Sequence, residues 1–266
     1  MKTCQYWVEF TGPVEIRGVP NQIIKCYVGS NYSPEDAAAK GPEKLRRLEA
    51  KINGRAQTKD YEIEIREEVF HTIDPLNVLT RNRYGALVLN TQSLTILDID
   101  TFKLSLWDRV GFTNKGKKPG ILQRLQDHYS NRITDGAEWR VYETNSGFRV
   151  LIPGGYLDPA DPSFLAFMDA ANCDPVYTRM CQRQRCYRAR LTPKPYRMKI
   201  QTIQYKWPMS NRELINASAW VSNYEREAMK YSVCKYVGTL GNQGMLNPVV
   251  EYHDRMCGAF ENKPLA

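Results

Sequence analysis

A chain of 266 residues with 42% hydrophobic, 25% charged and 11% aromatic side chains has the make-up of one large or two small globular domains, which excludes disordered, collagen-like and low-complexity classes. The 37 Lys and Arg against 29 Asp and Glu leave a formal net charge of +8, so an anionic partner is expected. No apolar run approaches the roughly 18 to 20 residues of a membrane span, the opening Met1-Lys2-Thr3-Cys4 reads as strand rather than signal peptide, and an odd, irregular set of seven cysteines suits a reducing cytoplasm better than a disulfide framework.

Residues 5–10 and 23–28 read as strands. Ser33-Pro34-Glu35-Asp36 is a helix start, with a capping serine, proline in the first turn and acids behind it. Gly41-Pro42 interrupts that helix, a second places Leu45, Leu48 and Ile52 on one face, and Asn53-Gly54 ends it. Residues 61–70 alternate as a half-buried strand. Short apolar strands follow at 86–90 and 94–100. A polar stretch from Thr113 to Lys118 leads to a helix opened by Pro119, carrying Ile121, Leu122, Leu125 and Tyr129. Residues 138–144 and 148–153 are strands about a tight turn at Asn145-Ser146-Gly147. Phe164 to Ala171 is a short helix, 186–192 a strand, and 197–206 another. Ser210 caps a long helix to about residue 235, with Leu214, Trp220, Val221, Tyr224 and Tyr231 inward, and the tail after Gly238 is rich in turns.

From residue 94 the order is strand, helix, strand, strand, helix, strand. That is the split β-α-β pattern of ferredoxin-like and RNA-recognition-motif-like domains, with strand order 4-1-3-2. The expectation is an α+β chain in three parts. These are an N-terminal α/β module over 1–85, the β-α-β-β-α-β core over 86–210, and a C-terminal helix and tail over 211–266 packing on the core.

Charge is unevenly placed. Between residues 175 and 212 lie ten basic residues and no acid, so the rest of the chain is slightly acidic. Tyr177, Tyr187, Tyr196, Tyr205 and Trp207 interleave with them. Guanidinium groups bind phosphate bidentately and aromatics stack on bases, so the segment reads as a polyanion-binding wall; the alternative is a solvated arginine-rich face. On the strand 94–100, Leu97 and Ile99 point to the helices while Asp98 and Asp100 point to the open face. Two carboxylates at that spacing on an apolar strand either hold Mg²⁺ or Mn²⁺, or cap a strand end that runs into solvent. On the strand 148–153, Phe148, Val150 and Ile152 face the helices and Arg149 the open side, where it holds phosphates or pairs with an aspartate. Asp174 either completes a three-carboxylate group or starts a turn with Pro175. Cys173, Cys181 and Cys186 cluster in sequence but contain no C-x-x-C pair, so buried thiols are expected over zinc. No phosphate-cradling glycine loop and no serine-hydrolase arrangement is visible.

Ile96-Leu97-Asp98-Ile99-Asp100 resembles the hydrophobic-D-hydrophobic-D motif of the archaeo-eukaryotic primases and primase-polymerases. Thr144-Asn145-Ser146-Gly147-Phe148-Arg149-Val150 resembles their second motif, a turn and a strand bearing S-x-H, with Arg149 in place of the histidine; His128 and His253 lie outside it. Asp174-Pro175-Val176-Tyr177-Thr178-Arg179, running into Cys186-Tyr187-Arg188-Ala189-Arg190-Leu191, resembles the third. The resemblance covers roughly residues 86–206. It implies a metal-dependent nucleotidyltransferase acting on nucleoside triphosphates and nucleic acid in replication or repair, with Asp98, Asp100 and Asp174 as catalytic carboxylates holding two Mg²⁺ or Mn²⁺ ions. It implies phosphate or nucleotide contacts from Ser146, Arg149, Arg179, Arg188, Arg190 and Lys194. Arginine binds phosphate but is a poor proton donor at neutral pH. The alternative is therefore a catalytically degenerate primase-like protein that binds nucleic acid or nucleotides.

Overall fold

The computed structural model describes residues 1–55, 64–100, 118–130, 137–242, 244 and 247–266. Its first elements form an antiparallel hairpin, β1 (Tyr6–Ile16) and β2 (Val19–Ser30), β1 running six residues past the end of its expected strand and β2 extending its expected strand at both ends. Arg17 and Gly18 make the connection with φ of 50° and 82°, the left-handed pair a two-residue hairpin turn requires. Helix α1 (Pro34–Ala39) begins as its sequence dictates, the Asp36 N–H donating to Ser33 Oγ at 3.1 Å. Helix α2 (Gly41–Ile52) follows, and Leu45 and Leu48 close a small core against Val14, Cys26 and Val28 of the hairpin.

A four-stranded antiparallel sheet has the order β3 (Glu68–Asp74), β4 (Asn77–Arg81), β5 (Leu87–Thr91) and β9 (Tyr187–Arg190), and so takes strands from both sides of residue 85. Of the strand expected at 61–70, residues 61–63 lie outside the described residues, Ile65 bridges to Thr3, and regular pairing starts at Glu68. Strand β4 gives no alternation to read because all five of its residues are buried. Arg81 ends that strand. Its Nη2 donates to Glu225 Oε1 at 2.7 Å and its Nη1 to the Gly85 carbonyl at 2.9 Å.

The second four-stranded sheet has the order β10 (Cys234–Leu240), β7 (Trp139–Thr144), β8 (Gly147–Pro153) and β6 (Leu94–Asp100), again antiparallel. It contains the expected 1-3-2 run of β6, β8 and β7. The expected fourth strand, β9, lies against β6 but is hydrogen-bonded to β5 in the other sheet. The edge beside β7 is taken by β10, a strand from the stretch expected to continue the long helix and run into a turn-rich tail. Helix α3 (Lys118–Ser130) carries the expected proline, Pro119, in its first turn, and Ile121 and Leu125 line a cavity together with Ile99. Helix α4 (Phe164–Ala170) buries Phe164 and Met168.

Asp174 is followed by a further helix, α5 (Pro175–Gln184), and β9 comes only after it. The strand expected at 197–206 is absent. A 3-10 turn occupies Pro195–Met198, started by the fixed ring of Pro195, and Lys199 ends it at φ 58°. Helix α6 (Asn211–Ala228) has the expected Ser210 start, with a reciprocal bond pair to Glu213, but stops seven residues early. Helix α7 (Pro248–Cys257), unannounced in the tail, is capped by Asn247 and closed by Gly258 at φ 61°. The chain is α+β, with antiparallel sheets and helices on them. Among the described residues no helix is long and apolar enough to cross a membrane.

A candidate acidic site between two buried arginines

The β6–β8 register sets the site. Asp98 stands opposite Arg149 and Asp100 opposite Gly147, so Asp98, Asp100 and Arg149 share one face of the sheet. Gly147 is required by the close approach of the strands: a Cβ there would lie 1.9 Å from the Ile99 carbonyl oxygen. Asp174 joins from the loop before α5, its backbone N–H donating to the Asp98 carbonyl at 2.9 Å. Its side chain caps α5, Oδ1 accepting from the N–H groups of Val176 and Tyr177 at 2.7 and 2.8 Å. Asp174 thus starts a helix rather than the expected turn, with its backbone bonded to Asp98.

The face expected to be open is covered at Arg149, which is only 3% exposed. Its Nη1 donates to the Arg190 carbonyl at 3.0 Å and to His253 Nε2 at 3.1 Å. The reason is the C-terminal segment: β10 extends the sheet and α7 lies over this face, bringing His253 and Cys257 onto Arg149. A histidine thus meets the motif-two position in space, from more than a hundred residues away in sequence.

Burial raises the pKa of the Asp98 carboxyl; Arg149 and Arg190 draw it down, and the like charges of Asp100 and Asp174 push it further up. Burial also lowers the Arg190 pKa, helped by the neighbouring Arg149 charge and opposed by Asp98. The buried Nε atoms of Arg149 and Arg190 find no hydrogen-bond partner among the described residues. Such orphaned donors are rare in native interiors and point to a ligand or a strained site.

Asp100 is exposed and reaches the basic segment through a chain of bonds. Ser146 Oγ donates to Asp100 Oδ1 and Arg197 Nη2 donates to Ser146 Oγ, both at 3.1 Å. Beyond Arg197 lies Tyr196, 61% exposed, with the Lys194 and Arg197 cations 5.8 and 6.0 Å from its ring centre. Partial burial works against ionisation of the Tyr196 phenol, but the two cations outweigh it and lower its pKa. Arg197 carried no assignment in the sequence reading beyond its share of the basic run; the turn at Pro195 is what brings it back to Ser146.

The remaining expected phosphate contacts divide. Arg190 stands beside Asp98 and Lys194 beside Tyr196. Arg179 is exposed on α5, its Nε donating to the Pro175 carbonyl at 3.2 Å. Arg188 is committed elsewhere, to a buried ion pair with Glu67 at 2.5 Å and a bond to Gln184. Cys173, Cys181 and Cys186 are buried free thiols, and burial raises the pKa of each.

Hard divalent cations fit this donor set by chemistry, since all three candidate ligands are carboxylates and one of them is already disfavoured as a bare ion by burial. Among the described residues the three carboxylates do not form a group with ligand atoms within 4.8 Å of one another; the group that does is Cys234, His253 and Cys257. Comparison of the chain with family models, with curated proteins and with solved structures returns no match.

Proposed function

We propose that the chain is a metal-dependent nucleotidyltransferase of the primase-polymerase type, built on an RNA-recognition-motif-like arrangement of β6, β8 and β7. The observation that carries this reading is the placing of Asp98 and Asp100 on one sheet face, with Asp174 bonded to the Asp98 backbone, beside the guanidinium groups of Arg149 and Arg190, whose buried Nε atoms lack partners among the described residues. Asp98, Asp100 and Asp174 would hold Mg²⁺ or Mn²⁺, which when bound lowers the pKa of an attacking hydroxyl and neutralises a departing pyrophosphate. Arg149 and Arg190 supply fixed positive charge behind the carboxylates, in a setting where water competes little. The chain from Asp100 through Ser146 to Arg197 ties the acidic group to the Tyr196 platform, where an unpaired base can stack and its phosphates meet Lys194 and Arg197.

The test is primer synthesis and primer extension with Mn²⁺ or Mg²⁺ and all nucleotides, on the intact chain and on Asp100→Asn. Asp100 is exposed, so its amide keeps the fold. Extension that falls by at least about 100-fold in the variant, as expected when a charged group stabilising the transition state is lost, supports the assignment. No extension by the intact chain under any of these conditions removes it.

Two observations favour a second reading, a nucleotide- or nucleic-acid-binding protein without polymerase chemistry. Asp174 Oδ1 is engaged by its own helix, and His253 from α7 covers Arg149. Binding of single strands without extension, unaffected by Asp100→Asn, is the outcome this reading requires.

A further inference from the structure

Behind Arg149 lies a second group of potential ligands that the proposed chemistry does not use. Cys234 comes from β10, and His253 and Cys257 come from one face of α7, four residues apart. All three are buried, and one donor atom from each lies within 4.8 Å of the others. Cys234 Sγ is 4.0 Å from His253 Nε2. Zinc–sulfur and zinc–nitrogen bonds of about 2.3 and 2.0 Å put donors roughly 3.5 to 3.8 Å apart on a tetrahedron, so closing this group on an ion takes only small side-chain movements.

The orientation of the imidazole is the stronger argument. Arg149 Nη1 can only donate, so the His253 Nε2 it touches carries a lone pair and the ring proton sits on Nδ1. That Nδ1 donates to Asp254 Oδ1 at 2.9 Å, and Asp254 is itself held by Arg140 Nη2 at 3.0 Å. A carboxylate behind Nδ1 and a lone pair on Nε2, with Cys234 Sγ 4.0 Å away, is the arrangement that fixes metal-binding histidines. A histidine serving only as packing has no need of a buried Asp–Arg pair to set its tautomer.

We propose that Cys234, His253 and Cys257 form a site for a soft divalent cation of the zinc class, clamping α7 onto β10. Two thiolates and a neutral imidazole make a formally neutral complex with Zn²⁺, which a buried site tolerates. Arg149 Nη1 leaves Nε2 on binding and keeps its bond to the Arg190 carbonyl, which also lies 3.7 Å from Cys257 Sγ. The site is separate from the carboxylate group in both ligands and cation hardness, so it stands or falls independently of the nucleotidyltransferase reading.

The experiment is titration of the reduced, metal-free intact chain with Co²⁺, followed by X-ray absorption of the Zn²⁺-loaded protein. The expected result is one equivalent of Co²⁺ giving intense tetrahedral visible bands and a thiolate charge-transfer band, displaced by Zn²⁺, and a zinc shell containing two sulfurs. The bands should vanish in Cys257→Ser and persist in Asp98→Asn. Because Cys257→Ser could unfold the chain, the absorption measurement on the unaltered protein decides alone. A zinc shell of oxygen and nitrogen only, no thiolate band in folded reduced protein, or bands lost in a folded Asp98→Asn each overturn the proposal.

Discussion

Asp98 is the residue at which the physical cost of the site is concentrated. Its backbone is committed to β6, its carboxyl faces the buried Arg149, and yet the three Nη1 bonds of that arginine go to other acceptors. Burial and two neighbouring carboxylates raise its pKa, with the arginines only partly offsetting them. A carboxyl whose folded pKa is above the unfolded one, about 3.9, contributes stability below that unfolded value and loses it as pH rises through the folded pKa. At neutral pH ionised Asp98 therefore destabilises the fold. Asp98→Asn should raise the melting temperature at pH 7, by roughly 2 to 4 °C per kcal/mol relieved, and the advantage should shrink towards pH 4. Mn²⁺ should stabilise the original chain more than the variant. Melting curves from pH 4 to 8 check this; a variant less stable by the same margin at every pH would show that the aspartate is simply well paired.

At the scale of elements, the strand bearing the two aspartates, the following hairpin and the three helix starts at Ser33, Pro119 and Ser210 were legible because each is written locally. A capping hydroxyl, a first-turn proline or a run of alternating residues needs no partner to be recognised. The elements that escaped are set by tertiary context. Strand β4 is buried on both faces, β10 follows a helix whose apolar pattern continues past its end, and α7 is hidden among turn residues. The covering of Arg149 and the Cys234–His253–Cys257 group depend on those same elements, so neither could be read from spacing. Asp174 illustrates how one residue serves two levels. As the cap of α5 it satisfies two backbone N–H groups, so Asp174→Ala should cost about 1 kcal/mol in denaturant unfolding. Asp174→Asn keeps a capping oxygen and should remain within a few tenths of the original stability. If the carboxylate also serves metal chemistry, the asparagine variant loses Mn²⁺-dependent extension while the fold is intact. If activity survives in asparagine but falls in alanine, the helix cap is its whole role. Gly147 tests the neighbouring constraint: Gly147→Ala should cost at least about 2 to 3 kcal/mol, because the added methyl meets a backbone carbonyl with no flexible group to yield. Equal midpoints and slopes for the two chains in urea would contradict that close approach.

For the whole molecule, the net charge of +8 is the sum of a slightly acidic scaffold and one basic segment, and folding sorts that segment further. Arg188 is neutralised by Glu67 and Arg190 turns in towards Asp98, so neither reports to solvent as a free cation. What remains at the surface near the acidic group is the Lys194–Tyr196–Arg197 platform, with Lys199 exposed just after it and Arg179 exposed on α5. Binding of a single strand confined to these four cations should therefore involve about four phosphates; Arg183, Lys206 and Arg212, also exposed, add to that number only where the strand runs past the platform. Each phosphate neutralised on a single strand contributes about −0.7 to the slope of log K against log salt, so a slope near −3 is expected. Reversing Lys199 to glutamate should weaken binding at low salt and flatten the slope by about one contact, and Tyr196→Ala should lose roughly 1 to 3 kcal/mol of stacking while leaving the slope unchanged. Those two variants separate the electrostatic and stacking contributions of one platform. Fluorescence anisotropy at several salt concentrations checks both. A slope near −7 would mean that the strand runs past the platform onto further cations of the segment, the exposed Arg183, Lys206 and Arg212 among them, and a slope near zero that the segment meets something other than a polyphosphate backbone.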